Sequence, residues 1–425
     1  MVVDDSAIIR GFLCRYLSED PEINVVTTAN NGKVALQQLA TNDIEVVVLD
    51  IEMPEMDGMT ALPRMIDMEP DLRVVMASTL TRKNAEISLR ALQMGAVDYV
   101  PKPETARSVN SNIDFRRELV EKVKAWATRG RQKRNEEMPG AGEMPEGSAA
   151  SSSDAETGAA SGFVRPSRPA KPVIQGARVR AGGLENSAEK FVRSQARAAT
   201  SVAVPANKAD DTKAPTDVSK QKSITLRKGS LRRPKILAIG SSTGGPQALM
   251  KFFAGFKRMP SIPIVITQHM PATFTAILAD HLGQATGWQA QEGADGTVLT
   301  PGQIYVAPGG KHMEIDDSEG DIRLRLTDDP PENFCKPAVD PMFRSLTKVY
   351  GENVLAVVLT GMGHDGLKGA RDLARAGATV MAQDEASSVV WGMPGAVSTA
   401  GLCTEVLPIE TLGEATERRI QGGFA

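Results

Sequence analysis

Apolar residues in this chain fall into short continuous runs, with stretches of helical spacing between them. Val46 to Leu49, Val74 to Ala77 and Val97 to Val100 are such runs near the amino terminus. Ile236 to Ile239, Ile262 to Thr267 and Val354 to Leu359 are their counterparts further on. Short β-branched runs without polar alternation read as strands buried on both faces. Ile9, Leu13 and Tyr16 repeat at helical spacing, as do Leu119, Val123 and Trp126. Strands alternating with helices predict an α/β fold of parallel, doubly wound sheets. The pattern predicts two such domains, 1–127 and 233–425. The intervening 128–232 is rich in Ala, Ser, Gly, Pro and charge, acidic first and basic from Arg165 to Lys228. Between Arg131 and Leu231 the only aromatics are Phe163 and Phe191. Such a stretch buries too little apolar surface to offset ordering entropy, so a long disordered linker is expected.

In a parallel sheet all strand C-termini share one edge, and ligands bind there. The run Lys235-Ile-Leu-Ala-Ile-Gly-Ser-Ser-Thr-Gly-Gly-Pro246 puts Ser242 in a tight turn between a strand and a helix. Its Gly-x-Ser-x-Gly spacing is that of a nucleophile elbow, and the helix start aims free N–H groups at the same spot. A glycine-rich turn of this kind also cradles nucleotide phosphates. A dinucleotide site would place an acid at the end of the next strand, yet that strand ends in Thr267-Gln-His269. A third strand runs into Thr360-Gly-Met-Gly-His-Asp-Gly366, which places Asp365 in another turn. Ser242, His269 and Asp365 thus form a candidate nucleophile, base and orienting acid. Their chain order differs from that of α/β-hydrolases. His364 is a rival base, while His281 in a helix and His312 in a hairpin end no parallel strand.

The amino-terminal domain applies the same principle to different chemistry. Asp4, Asp5 and Asp50 converge at its sheet edge and suit Mg2+, with Lys102 and Ser78 nearby. A divalent cation, a lysine and an acceptor aspartate make a phosphoryl-accepting site.

Composition narrows the field. A net charge of −3 and 4% aromatic residues argue against nucleic-acid binding. Cys14, Cys335 and Cys403 have no metal-ligand spacing and fit a reducing cytoplasm. No apolar run has membrane-spanning length, so no membrane insertion is expected.

Two sets of motifs carry a family resemblance. Val3-Asp-Asp-Ser6, Leu49-Asp-Ile-Glu-Met-Pro54, Met76-Ala-Ser78 and Asp98-Tyr-Val-Pro-Lys-Pro103 resemble a response-regulator receiver domain. Ile239-Gly-Ser-Ser-Thr-Gly-Gly245, Gln268-His-Met-Pro271, Ala307-Pro-Gly-Gly-Lys-His-Met313, Leu359 to Gly366 and Gly392-Met-Pro394 resemble the CheB chemotaxis methylesterases. The resemblance implies a phosphorylation-activated serine esterase that removes γ-methyl esters from chemoreceptor glutamates and deamidates receptor glutamines. It implies Asp50 as phosphoacceptor, Mg2+ for receiver phosphorylation and no cofactor for ester hydrolysis. Ser242, His269 and Asp365 become the triad, Thr243 and Met362 the oxyanion and substrate side, and Ser78, Tyr99 and Lys102 the receiver switch. The implied partners are chemoreceptor cytoplasmic helices and a histidine kinase. The rival reading is a response regulator with a non-catalytic output domain.

Two departures stand out. Only Met1 to Val3 precede Asp4, where a strand has about 5–6 residues. An upstream start and a marginal domain are both open. Ala338 stands in Cys335-Lys-Pro-Ala-Val-Asp340 where relatives carry serine, a change expected to touch the substrate side and spare the triad.

Overall fold

The computed structural model describes residues 1–79, 81–102, 113–137, 224–318 and 320–423. Pro103 and residues 138–223 of the expected linker lie outside the described residues. In the amino-terminal domain the strands are β1 (Val2–Val3), β2 (Thr28–Ala29), β3 (Val46–Asp50), β4 (Arg73–Thr79) and β5 (Asp98–Lys102). All pair in parallel, in the order β2-β1-β3-β4-β5. The chain reverses direction across the sheet between β1 and β3, so Asp4 and Asp50 flank that switch point. The pairing of the short β1 extends to Met1. The Met1 ammonium donates to the Val46 carbonyl at 2.8 Å, and the Val48 N–H donates to the Met1 carbonyl at 3.0 Å.

The carboxy-terminal sheet has seven parallel strands. They are β6 (Ile236–Ser241), β7 (Ile264–Gln268), β8 (Ala290–Glu292), β9 (Ile304–Val306), β12 (Val354–Val358), β13 (Thr379–Gln383) and β14 (Glu405–Leu407). β10 (His312–Asp316) and β11 (Arg323–Thr327) form a separate antiparallel hairpin. The sheet order is β14-β13-β12-β6-β7-β9-β8. The chain winds outward from β6 through β7, then returns to β6's other side as β12. The switch point therefore falls between β6 and β12. Ile236, Leu237, Ala238 and Ile239 are wholly buried, as are Leu355 to Val358, as central strands covered on both faces require.

Both ends of the expected linker are ordered. One helix, Ile113–Glu137, runs straight through residue 127. At the other end, the Arg227 N–H donates to the Cys403 carbonyl at 2.9 Å and its Nε to the Leu402 carbonyl at 2.7 Å. Basic Arg227 is thus tied into the esterase domain through backbone carbonyls.

Candidate active site and receiver site

Ser242 follows β6 directly. The next residue but one, Gly244, caps helix Gly245–Ala254 with a left-handed backbone (φ 73°), which a side chain would strain. Close approach matters at Gly361 too, since a Cβ there would lie 2.9 Å from Ser242 Cβ. His269 follows β7, and its N–H donates to the Ser241 carbonyl at 3.1 Å. Asp365 follows β12 and is 1% exposed. The His269 Nε2 lies 2.7 Å from Asp365 Oδ2. An ionised carboxylate only accepts, so Nε2 carries the proton and Nδ1 is left as the basic nitrogen of a neutral ring.

Asp365 is heavily donated to. The backbone N–H groups of Val339, Asp340 and Gly366 reach it at 2.6, 3.1 and 2.9 Å, and the Asn333 amide at 2.9 Å. Val339 and Asp340 open helix Val339–Tyr350, whose cap residue is Ala338 and has no side-chain acceptor. The carboxylate of Asp365 therefore caps this helix from a distance. Burial alone would raise the Asp365 pKa. The His269 hydrogen bond and charge, then the two helix N–H groups, outweigh that and hold it at about 2.

His269 is raised to about 10. Burial would lower it, but the neighbouring Cys335 and Asp365 outweigh that cost. The Cys335 Sγ lies 3.2 Å from His269 Nδ1. Cys335 and Asn333 reach the triad from a loop to which the sequence alone assigns no role. The available signal was Pro330-Pro-Glu-Asn-Phe-Cys335, a loop with an unpaired aromatic between polar residues. His312 is buried and structural, its Nδ1 accepting from the Ala338 N–H at 3.1 Å. His364 is exposed at the same cleft, while the 2.7 Å hydrogen bond to Asp365 is made by His269.

Thr243 is buried, and Met362 is half-buried; both line a cleft of about 880 Å³ shared with Ser242, His269 and Cys335. Receiver residues form its opposite wall, including Tyr99 and Lys122. The Tyr99 ring stacks on Phe274, centroids 4.6 Å apart. The Gln247 amide donates to the Ala96 carbonyl at 2.7 Å, and the Gly244 N–H reaches Asp98 Oδ2 at 3.4 Å.

In the receiver, ligand oxygens of Asp4, Asp5 and Asp50 lie within 4.8 Å of one another. Lys102 Nζ sits 2.6 Å from both Asp4 Oδ2 and Asp50 Oδ1. Burial pushes Asp50 up to about 6, Asp4 adding to the rise, while Lys102 and the Ile51 N–H oppose it. Ser78 shares a 2.8 Å hydrogen bond with Ser88. Among the described residues no helix is long and apolar enough to cross a membrane.

Comparison with known proteins agrees with this two-site layout. Residues 1–114 match the response regulator receiver domain family and residues 237–416 the CheB methylesterase family. A protein-glutamate methylesterase/protein-glutamine glutaminase of Paramagnetospirillum magneticum is 45% identical over 412 residues, 96% of this chain and 92% of the relative. One from Rhodospirillum rubrum is 46% identical over 414 residues, 97% and 92% respectively. The CheB methylesterase catalytic domain of Thermotoga maritima, a solved structure, is 37% identical over 45% of this chain and 99% of that one, with a TM-score of 0.42. With relatives this similar along nearly its whole length, the chain belongs to the CheB family, in which a receiver domain precedes a methylesterase domain.

Proposed function

We propose that this protein is a phosphorylation-controlled serine esterase acting on γ-glutamyl methyl esters of chemoreceptor helices, and on receptor glutamines by the same acyl chemistry. The observation that carries the reading is the 2.7 Å His269–Asp365 pair, set beside Ser242 at three neighbouring strand ends. Ser242 Oγ attacks the ester carbonyl and His269 takes its proton. The imidazolium returns that proton to the departing methoxide, so methanol leaves and a glutamyl-serine ester remains. Water, deprotonated by His269, then cleaves that ester and regenerates the Ser242 hydroxyl. Asp365 fixes the tautomer and stabilises the imidazolium. Backbone N–H groups near Thr243 and Met362 face the developing oxyanion.

Asp50 accepts phosphate from a histidine kinase, with Ser78 and Tyr99 relaying the change and Lys102 pairing with the phosphoryl group. The hard, closely spaced oxygens of Asp4, Asp5 and Asp50 fit Mg2+. Bound there, Mg2+ would neutralise charge on the transferring phosphoryl group. The receiver wall over the cleft supports control by occlusion, relieved when phosphorylation weakens the Tyr99 and Asp98 contacts. No cofactor is assigned to ester hydrolysis, and the setting is cytoplasmic. The deciding test is methanol release from methylated receptor, with and without a small phosphodonor. A non-catalytic output domain would release none in either condition and would leave Ser242 unlabelled by a fluorophosphonate.

A further inference from the structure

An imidazole has two nitrogens, and the triad needs both. Asp365 holds Nε2 of His269, so only Nδ1 can take a proton from Ser242. In this structure Nδ1 faces the thiol of Cys335 at 3.2 Å. Among the described residues the Ser242 hydroxyl has no hydrogen-bond partner. The base is therefore oriented by its acid but engaged by a thiol in place of its nucleophile.

The loop that carries Cys335 is built to keep it there. Asn333 and Phe334 have left-handed backbones, φ 52° and 64°. Asparagine tolerates this conformation, but a bulky residue such as Phe334 holds it only where neighbours impose it. Glu332 and Cys335 exchange backbone hydrogen bonds at 3.1 and 2.9 Å. Arg344 grips the Glu332 carboxylate with two bonds, 2.9 and 2.7 Å. Asn333 bridges Asp365 and Asp340 at 2.9 and 3.1 Å. The loop tip, Phe334, is 77% exposed, and the Arg117 guanidinium of the receiver lies 4.8 Å above its ring.

We propose that Cys335 is a positioning residue which occupies the proton-accepting nitrogen of His269 in the receiver-covered state, holding the base off Ser242 until loop 332–337 shifts, and that Arg117 restrains that shift through Phe334. This rests on the esterase reading above and adds a second layer of restraint within the site itself. Occlusion blocks substrate; the thiol blocks activation of the nucleophile.

The raised imidazole pKa agrees with this arrangement, because a Cys335 sulfur accepting from Nδ1–H, together with the Asp365 carboxylate, favours the protonated ring over the cost of burial. A protonated ring cannot accept the Ser242 proton. Other charged groups face the same cleft. From the receiver strand and helix come Asp98, Glu118 and Glu121 against Arg117 and Lys122, and Lys336 adds a positive charge from the loop. His364 is exposed nearby, and Asp340 lies behind Asp365, joined to it through Asn333. All are retained when only the thiol is removed, so a shift on removing it reports the thiol.

The test uses the full chain without phosphodonor and reads two rates across pH: methanol release from methylated receptor, and labelling of Ser242 by a fluorophosphonate. Cys335→Ala is expected to raise both about five- to tenfold at neutral pH and to move the acid limb of the profile down by about one unit or more. Phe334→Ala, at an exposed tip where folding is insensitive, is expected to move both readouts the same way by a smaller factor. Unchanged profiles in both variants would overturn the proposal. So would an equal loss at every pH, which marks a merely structural residue. Loss of turnover in Cys335→Ala with survival in Ser242→Ala would overturn it too, by making the thiol the nucleophile. Wild-type protein that neither labels at Ser242 nor releases methanol would instead defeat the esterase reading.

Discussion

Asp50 and Asp365 occupy equivalent places in two sheets and are held in opposite ways. Each lies at the C-terminal end of a central parallel strand or just beyond it, and each is nearly buried, at 7% and 1% exposure. Asp50 receives one backbone N–H, from Ile51 at 2.7 Å, and one ammonium shared with Asp4. Asp365 receives three backbone N–H groups, an amide and an imidazole. One carboxyl is pushed up to about 6 and the other held at about 2. The strand end brings a carboxylate to the edge, but the donors in the following loops decide its charge. An under-donated acid responds to a cation or to modification. A saturated one stays an anion and orients its histidine.

The strongest way to break this comparison is to remove chemistry from the saturated site. Ser242→Ala should cut methanol release by roughly 10⁴–10⁶ while leaving the melt unchanged. Ser241→Ala loses only a buried 2.7 Å hydrogen bond to Gln268 and should cost far less activity. The reverse pattern would shift the nucleophile by one residue. Asp365→Asn should lower turnover by roughly 10²–10⁴, because an amide no longer fixes the imidazole tautomer. It should also lower esterase-domain stability by about 1–2 kcal/mol, since the Val339–Tyr350 helix loses a charged cap. A stability gain would mean that those N–H groups do not need the charge.

Asp50→Asn should do the opposite. Neutralising one of three crowded carboxylates should stabilise the cation-free receiver by roughly 1–3 kcal/mol, read as a higher urea midpoint. Basal methanol release should persist and its stimulation by phosphodonor should vanish. A phosphodonor response that survives would remove Asp50 from the acceptor role. A lower midpoint would show the wild-type carboxylate to be well satisfied.

Much of this contrast was legible in the residues. Continuous apolar runs located the strands, and the polar residues just past them, among them Asp50, Ser78, Ser242 and His269, marked where chemistry gathers. Strand ends were less sharp. The expected Ile262 to Thr267 run pairs as Ile264–Gln268, since pairing with β6 rather than hydropathy sets where the ladder starts. What stayed hidden was contact between segments distant in sequence. Asn333 and Cys335 reach His269 and Asp365 only because the loop before the Val339–Tyr350 helix folds over the sheet edge. No local period encodes that. The Asp98 contact to Gly244 was likewise hidden, as it joins two domains more than a hundred residues apart.

The smallest expected effect is a difference in how the two domains respond to mild acid. Asp50 is raised to about 6 in the folded protein, above the ordinary value of 3.8, so folding favours its protonated form. Its contribution is greatest at low pH and is lost as pH rises through 6. Asp365 is depressed to about 2, so its contribution is complete above 3.8 and is lost only as pH falls toward 2. His269, raised above its ordinary 6.5, has its contribution nearly complete below that value. Between pH 6 and 4.5, therefore, only Asp50 among these three changes its contribution appreciably. Cation-free receiver should gain roughly 1–2 kcal/mol over that interval while the esterase domain gains little from its triad. Hydrogen exchange, corrected for intrinsic rates, resolves the two: protection should rise across Val46–Asp50 and hold steady across Ile236–Ser241 and Val354–Val358. Saturating Mg2+ should flatten the receiver response, because a cation keeps Asp50 charged. Equal gains in both sheets, or a receiver that loosens in acid, would end the claim that donor supply in the loops separates these two carboxylates.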